Sequence, residues 1–245
     1  MKIKKIIFKK ITFINIKNLQ FKNILSKKGV YLFPSGPGLS SLNYDTKYSK
    51  SLKEADYVFF DSGYFVLLLR FLKKIKVYKY SGYIFLKNLF YYLHKNYNKK
   101  VLCVDPTPKQ SINNKKFLKN LGLKRIYNYI APTYNYRNIK DQKLLQIINN
   151  FKPNFIIINL GGGTQEILGV FLKKNLKFKT CIFCTGAAIS YFTGDQAPVN
   201  NFFDKLYLGW FLRIIFKPQI FFLRYFNAIK LFHIVRYAKI SIKYR

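Results

Sequence analysis

Six short apolar runs in this chain each stop at residues that break or turn a strand. Residues 30–33 (VYLF) end at Pro34-Ser35-Gly36-Pro37-Gly38, 57–60 (YVFF) at Asp61-Ser62-Gly63, and 101–104 (VLCV) at Asp105-Pro106-Thr107-Pro108. Residues 126–130 end at Ala131-Pro132, 154–160 at Gly161-Gly162-Gly163, and 179–184 at Thr185-Gly186. Runs this short, with few polar positions alternating through them, suit strands covered on both faces. Helix-like stretches lie between them at 46–55, 64–75, 83–97, 111–121, 138–150 and from Thr164 onward. The alternation predicts an α/β fold: a Rossmann-like, mostly parallel sheet with helices on both faces.

In such a sheet a ligand sits outside the carboxyl ends of the strands. Asp61, Asp105, Gly161–Gly163 and Thr185-Gly186 each follow a predicted strand directly, so they are expected along one edge. Residues 30–198 form the predicted core. Residues 1–29 are basic and weakly patterned, a first strand or an interfacial arm. After Ala197-Pro198 the composition shifts, and residues 199–245 read as a basic, aromatic, helical C-terminal appendage whose helical pattern Pro218 interrupts.

The net charge of +35 comes from 44 Lys and Arg against nine acids. Lys, Asn, Ile, Phe and Tyr all have AT-rich codons, so genome composition accounts for the larger share of that charge. The remainder suits an anionic partner: membrane lipid, nucleic acid or a phosphorylated substrate. Arginine says more, because its planar fork grips phosphate through two bonds. Four of the seven arginines, including Arg213 and Arg224, follow residue 210. Cys181 and Cys184 form a lone C-x-x-C inside an apolar run and are expected as buried small hydrophobes. The three cysteines make no disulfide framework, which suits a reducing compartment. The N-terminus makes a poor signal peptide, and no window supplies the roughly 20 uncharged apolar residues of a membrane span.

The turn Gly161-Gly162-Gly163-Thr164-Gln165-Glu166 stands where a strand passes into a helix. Bare backbone amides at a helix start can approach a phosphate or a sugar, and Gln165 and Glu166 can bond hydroxyls. The same residues equally make a tight strand-to-helix turn with Thr164 or Glu166 near the cap. The turn is neither a P-loop nor a dinucleotide fingerprint. Asp61, before a Ser-Gly pair, is placed to act as a general base on a hydroxyl, or serves as a turn residue or helix cap. Asp105, before Pro106, is expected as a turn residue with at most a minor binding role. His94 and His233 lack partners at ligand spacing, so no metal site and no cofactor are expected. Neither G-x-S-x-G nor D-x-D occurs.

The blocks LGGGTQE, TGAAISYFTGDQAP and LGWFLRIIFKP…LRY, with Ala55-Asp56-Tyr57-Val58-Phe59-Phe60-Asp61-Ser62 upstream, resemble the WecG/TagA/CpsF bacterial glycosyltransferases. That family carries G-x-P-K-Q-E, a G-A-A-like turn leading to R-A-P, an E-W-x-x-R-L…P-R…R-Y tail and an A-D-x-V-x-P-D-G segment. The resemblance covers roughly residues 30–228. It implies an inverting, metal-independent transferase that moves a sugar such as N-acetylmannosamine from a UDP-sugar to a lipid-diphosphate-linked acceptor. It implies work at the cytoplasmic face of the inner membrane, on an anionic lipid surface, in surface polysaccharide assembly; homo-oligomerisation stays open. Asp61 takes the position of the family's proposed base. Ser35, Gly161, Gly162, Gly163, Gln165, Glu166, Thr185 and Gly186 fall in substrate-binding positions, and Arg213 and Arg224 take those that neutralise the leaving diphosphate. The chain departs from the pattern at Ser62, Gly163-Thr164, Ser190 and Gln196, and Pro34-Ser35-Gly36 replaces a Thr-x-Asn, so the donor sugar is left open. The alternatives are a basic nucleic-acid-binding protein, though no recognisable module for it occurs, and a catalytically inactive membrane-associated relative.

Overall fold

The computed structural model describes residues 4–17, 20–136, 138–195, 219 and 226–244. Nine strands form one sheet in the order β6-β5-β7-β8-β3-β4-β2-β1-β9. They are β1 (Lys4–Phe8), β2 (Ile11–Asn15), β3 (Gly29–Leu32), β4 (Tyr57–Phe59), β5 (Val101–Asp105), β6 (Ile126–Ile130), β7 (Phe155–Ile158), β8 (Cys181–Cys184) and β9 (Ile240–Tyr244). From β6 across to β2 every neighbouring pair is parallel. β1 runs against both β2 and β9. The fold is therefore the mixed α/β, mostly parallel sheet that the sequence predicts.

The helices are α1 (Phe21–Leu25), α2 (Gly36–Ser40), α3 (Thr46–Glu54), α4 (Gly63–Lys73), α5 (Gly82–Lys95), α6 (Pro108–Asn120), α7 (Gln142–Phe151), α8 (Thr164–Asn175), α9 (Ser190–Thr193) and α10 (Lys230–Tyr237). The strand registers sort the core into two layers. Leu102, Ile156, Ile182 and Val30 form one row across the sheet, and this row packs with α2, α3, α4, α7, α8 and α10. Cys103, Ile157, Phe183 and Tyr31 form the next row, which faces α1, α5 and α6. Because β5, β7 and β8 are buried on both faces, they read as unbroken apolar runs.

Polar caps begin the helices. The side chains of Ser35, Asp45, Ser62, Ser81, Thr107 and Asp141 each accept a backbone N–H from the first turn that follows. β3 and β8 are neighbours, yet the chain leaves β3 toward one face and β8 toward the other. Such a divergence opens a crevice at the carboxyl ends of the two strands.

The N-terminal segment differs from a single strand or arm. Residues 4–15 make a hairpin, its two-residue turn held by Lys9 (φ 49°) and Lys10 (φ 64°). This turn conformation favours Asn-Gly, so the Lys-Lys pair gave no sign of it. β9 adds its strand to the same hairpin, pairing Lys4–Phe8 with Ile240–Tyr244. Among the described residues no helix is long and apolar enough to cross a membrane.

α8 lies close on the sheet because residue 169 has no side chain. A Cβ at Gly169 would stand 2.7 Å from Cys184 Sγ and 3.4 Å from Val30 Cγ1. Gly169→Val therefore overpacks a buried contact and is expected to cost about 2 kcal/mol, measured as a lower urea midpoint with an unchanged m-value.

Candidate active site

Asp61 follows β4 and lies half-buried at the carboxyl edge. The cap of α4 is its neighbour Ser62, whose Oγ accepts from Phe65 N–H at 3.2 Å. Asp61 is thus free of the capping duty, and its Oδ1 accepts the Gly82 N–H at 2.9 Å instead. Gly82 opens α5, so the carboxylate rests at the positive end of a 14-residue helix. Ser35, one strand over, caps α2 by accepting from Gly38 N–H at 3.3 Å.

The second half of the edge comes from β7 and β8. Gly161 and Gly162 are exposed and face open space: a Cβ on either would meet nothing within 4 Å. Gly163 is buried at φ 92°, a backbone conformation natural only to glycine. Gln165 and Glu166 turn inward, with 4% and 1% of their surface exposed. Glu166 Oε2 accepts from Gly163 N–H at 2.6 Å, and Oε1 accepts from Gln165 Nε2 at 3.2 Å. Gln165 Oε1 accepts from Gly186 N–H at 2.7 Å, which ties the turn after β7 to the turn after β8.

Thr185, just before that contact, is buried, and its Oγ meets no hydrogen-bond partner among the described residues. It also closes the circle to Asp61. A Cβ on Gly82 would lie 3.3 Å from the Thr185 carbonyl, so the start of α5, which holds Asp61, packs closely on Thr185.

Two tyrosines and an aspartate pack beside these turns, Tyr48 buried and Tyr136 and Asp45 half-buried. Tyr136, from the β6–α7 connection, donates its hydroxyl to Asp45 Oδ2, while Asp45 Oδ1 caps α3 by accepting from Tyr48 N–H at 2.9 Å. The Tyr136 ring stands 3.0 Å from where a Gly163 Cβ would be, and the Tyr48 hydroxyl 2.5 Å from where a Gly38 Cβ would be. Only the Asp-Thr start of α3 hinted at this in the sequence, as a helix cap; nothing in the local pattern pointed to Tyr136.

Asp105 is not a turn residue at the surface. It is fully buried, and its carboxylate accepts from Asn114 Nδ2 at 2.7 Å, Asn159 Nδ2 at 2.8 Å and Asn128 Nδ2 at 2.8 Å. A buried carboxylate needs donors in place of water, and three amides from α6, β6 and the end of β7 supply them. Arg213 and Arg224 lie outside the described residues.

With this geometry in place, one comparison decides the family. The model of the glycosyl transferase WecG/TagA/CpsF family matches residues 3–244. The chain belongs to this family. No curated protein matches it. As a WecG/TagA/CpsF protein it is a glycosyltransferase of cell-surface polysaccharide synthesis, and the glycine turns and Asp61 share the edge where such a fold holds its ligands.

Burial raises the Glu166 carboxyl to about 7, and the negative charge of Asp61 pushes in the same direction, against the hydrogen bonds that favour ionisation. The sign follows from linkage. In the unfolded chain the group ionises near 4.5, in the folded chain near 7. Between those values the unfolded state sheds its proton first, so this group's contribution to stability falls as pH rises. Glu166→Gln removes the effect. The stability of the variant relative to the parent is expected to climb from pH 4.5 to 7.5, by on the order of 3 kcal/mol, read from urea unfolding across that range.

Proposed function

We propose that this glycosyltransferase moves a sugar, N-acetylmannosamine or a close analogue, from a UDP-sugar to a lipid-diphosphate-linked acceptor, with inversion. Asp61 carries the reading. It is the carboxylate that reaches the carboxyl edge from β4, half-exposed, on the edge that also carries the exposed Gly161 and Gly162. Held by the Gly82 N–H, it keeps a fixed orientation, and the carboxylate takes the proton of the acceptor hydroxyl as that hydroxyl attacks the anomeric carbon. The bond from that carbon to the UDP oxygen breaks on the opposite side, and inversion results.

The leaving diphosphate needs fixed positive charge. The start of α8 offers the positive end of a helix dipole, and Arg213 and Arg224 add guanidinium groups. Gln165 and Glu166 act by holding the turns after β7 and β8 in register, so that the backbone of Gly161 and Gly162 meets the donor. Ser35 and Gly186 contribute at the same edge, with the buried Thr185 behind them. Residues 199–245, basic and aromatic in composition, serve an anionic membrane at its cytoplasmic side, where the acceptor resides. The reading needs no metal and no cofactor.

The test is transfer from UDP-sugars to a prenyl-diphosphate-linked sugar by the full chain. Asp61→Asn is expected to lower kcat by ~10² to 10⁴ with folding and donor affinity kept. Full activity in that variant would remove Asp61 from the role of base.

A further inference from the structure

Genome composition raises lysine throughout the chain, but it does not decide where nine acids fall. Residues 1–44, 62–104 and 205–245 contain no Asp or Glu. The fold gathers parts of all three stretches at one end of the sheet, beyond β4. They are β1 and β2 from the first, α4 and the α4–α5 connection from the second, and α10 and β9 from the third. The described acids serve other places: Glu54 and Asp56 pair with Lys174 and Lys173 of α8, and Asp105, Asp141 and Glu166 are buried.

The α4–α5 connection ties this basic corner to Asp61. Lys4 Nζ donates to the Lys76 carbonyl at 3.4 Å, and Tyr78 N–H donates to Asn15 Oδ1 at 2.7 Å. The Lys17 ammonium lies 5.3 Å from the centre of the Tyr78 ring. Two residues on, Tyr80 N–H donates to the Phe60 carbonyl at 2.9 Å, and Gly82 N–H then holds Asp61. Lys17, Lys76 and Tyr78 are exposed, and Lys4 is half-buried. On the neighbouring strands Lys5 stands directly opposite Lys243. Like charges so placed cost stability, and an anionic partner relieves that cost. Ammonium groups around a tyrosine suit a layer of anionic headgroups, with the lysines on phosphate and the ring at the polar boundary. The place beside Asp61 favours a lipid surface over nucleic acid, because a lipid-linked acceptor must reach that carboxylate from a membrane.

We propose that Lys4, Lys17, Lys76 and Tyr78 form a docking surface for anionic phospholipid headgroups, separate from residues 199–245, that holds the Asp61 end of the carboxyl edge against the bilayer. This rests on the lipid-linked acceptor of the reading above.

The experiment is co-sedimentation of the full chain, at physiological salt, with vesicles of phosphatidylcholine alone and of equal parts phosphatidylcholine and phosphatidylglycerol. The parent is expected to bind the mixed vesicles far better. A lysine near an anionic surface contributes about fivefold, so Lys4→Gln, Lys17→Gln and Lys76→Gln together should weaken that binding about a hundredfold. Lys17→Gln with Lys76→Gln, both at exposed positions, repeats the test without touching the Lys4 bond and should weaken it about 25-fold. A control of the same net charge as the triple variant changes the exposed Lys115, Lys116 and Lys119 of α6, at the other end of the sheet, to Gln, and should stay within about threefold of the parent. Transfer to a short-chain, water-soluble acceptor should be equal in the parent and the double variant, while transfer to acceptor held in mixed vesicles falls. Equal loss in the α6 control would show adsorption by net charge and overturn the surface. Unchanged vesicle binding in the double variant overturns this surface alone and leaves the acceptor reading standing. Tighter binding of the parent to a duplex oligonucleotide than to mixed vesicles, lost in the double variant, gives the corner to nucleic acid and overturns its assignment to lipid. A parent that transfers no sugar to any lipid-linked acceptor overturns that reading, and this inference with it.

Discussion

One side chain joins the glycine turns that follow β7 and β8. Gln165 accepts from the Gly186 amide after β8 and donates to Glu166, which in turn holds the Gly163 amide after β7. Gln165, Glu166 and Gly163 are buried and Gly186 half-buried, and the two amides drawn out of water have gained partners. The turns cannot shift independently. Thr185 is fixed by the same contact, α5 packs onto Thr185 through Gly82, and Gly82 holds Asp61. A continuous line of short contacts therefore links the proposed base to the proposed donor turn, though the two are more than a hundred residues apart in sequence.

That line makes Glu166 costly. Its carboxylate sits in a dry interior near the charge of Asp61, and burial drives its protonation up toward neutrality. The fold accepts this because the alternative leaves the Gly163 amide unpaired. The Asp105 cluster shows a similar compromise a few strands away: three asparagine amides satisfy one buried carboxylate, and each leaves its own Oδ1 without a partner among the described residues. Both clusters lie at carboxyl ends of strands. There the chain must change direction, and regular strand pairing stops supplying hydrogen bonds.

Most of the central sheet was legible in the sequence, because buried parallel strands are unbroken apolar runs and their turns are spelled in Gly, Pro and Asp. Helix starts were less so: α6 begins at Pro108 and α7 at Gln142, positions set by Thr107 and Asp141 as caps. The first hairpin escaped notice because a Lys-Lys turn carries no turn signal, and β9 because an edge strand exposed along most of its length has no apolar rhythm. In the site, Asp61 and the glycine turns could be placed from the sequence alone. Tyr136 and Asp45 could not, since 91 residues separate them and only packing brings them together.

The sequence by itself determined a strand-helix alternation, an edge at which Asp61 and the glycines gather, and the family, because these depend on residue order and on local preference. The tertiary structure alone decided which way Gln165 and Glu166 face, that Asp105 is buried among amides, and that Tyr136 meets Asp45 and Gly163. Those outcomes turn on which distant groups can replace lost water for a buried polar atom, and no local stretch of sequence contains both members of such a pair.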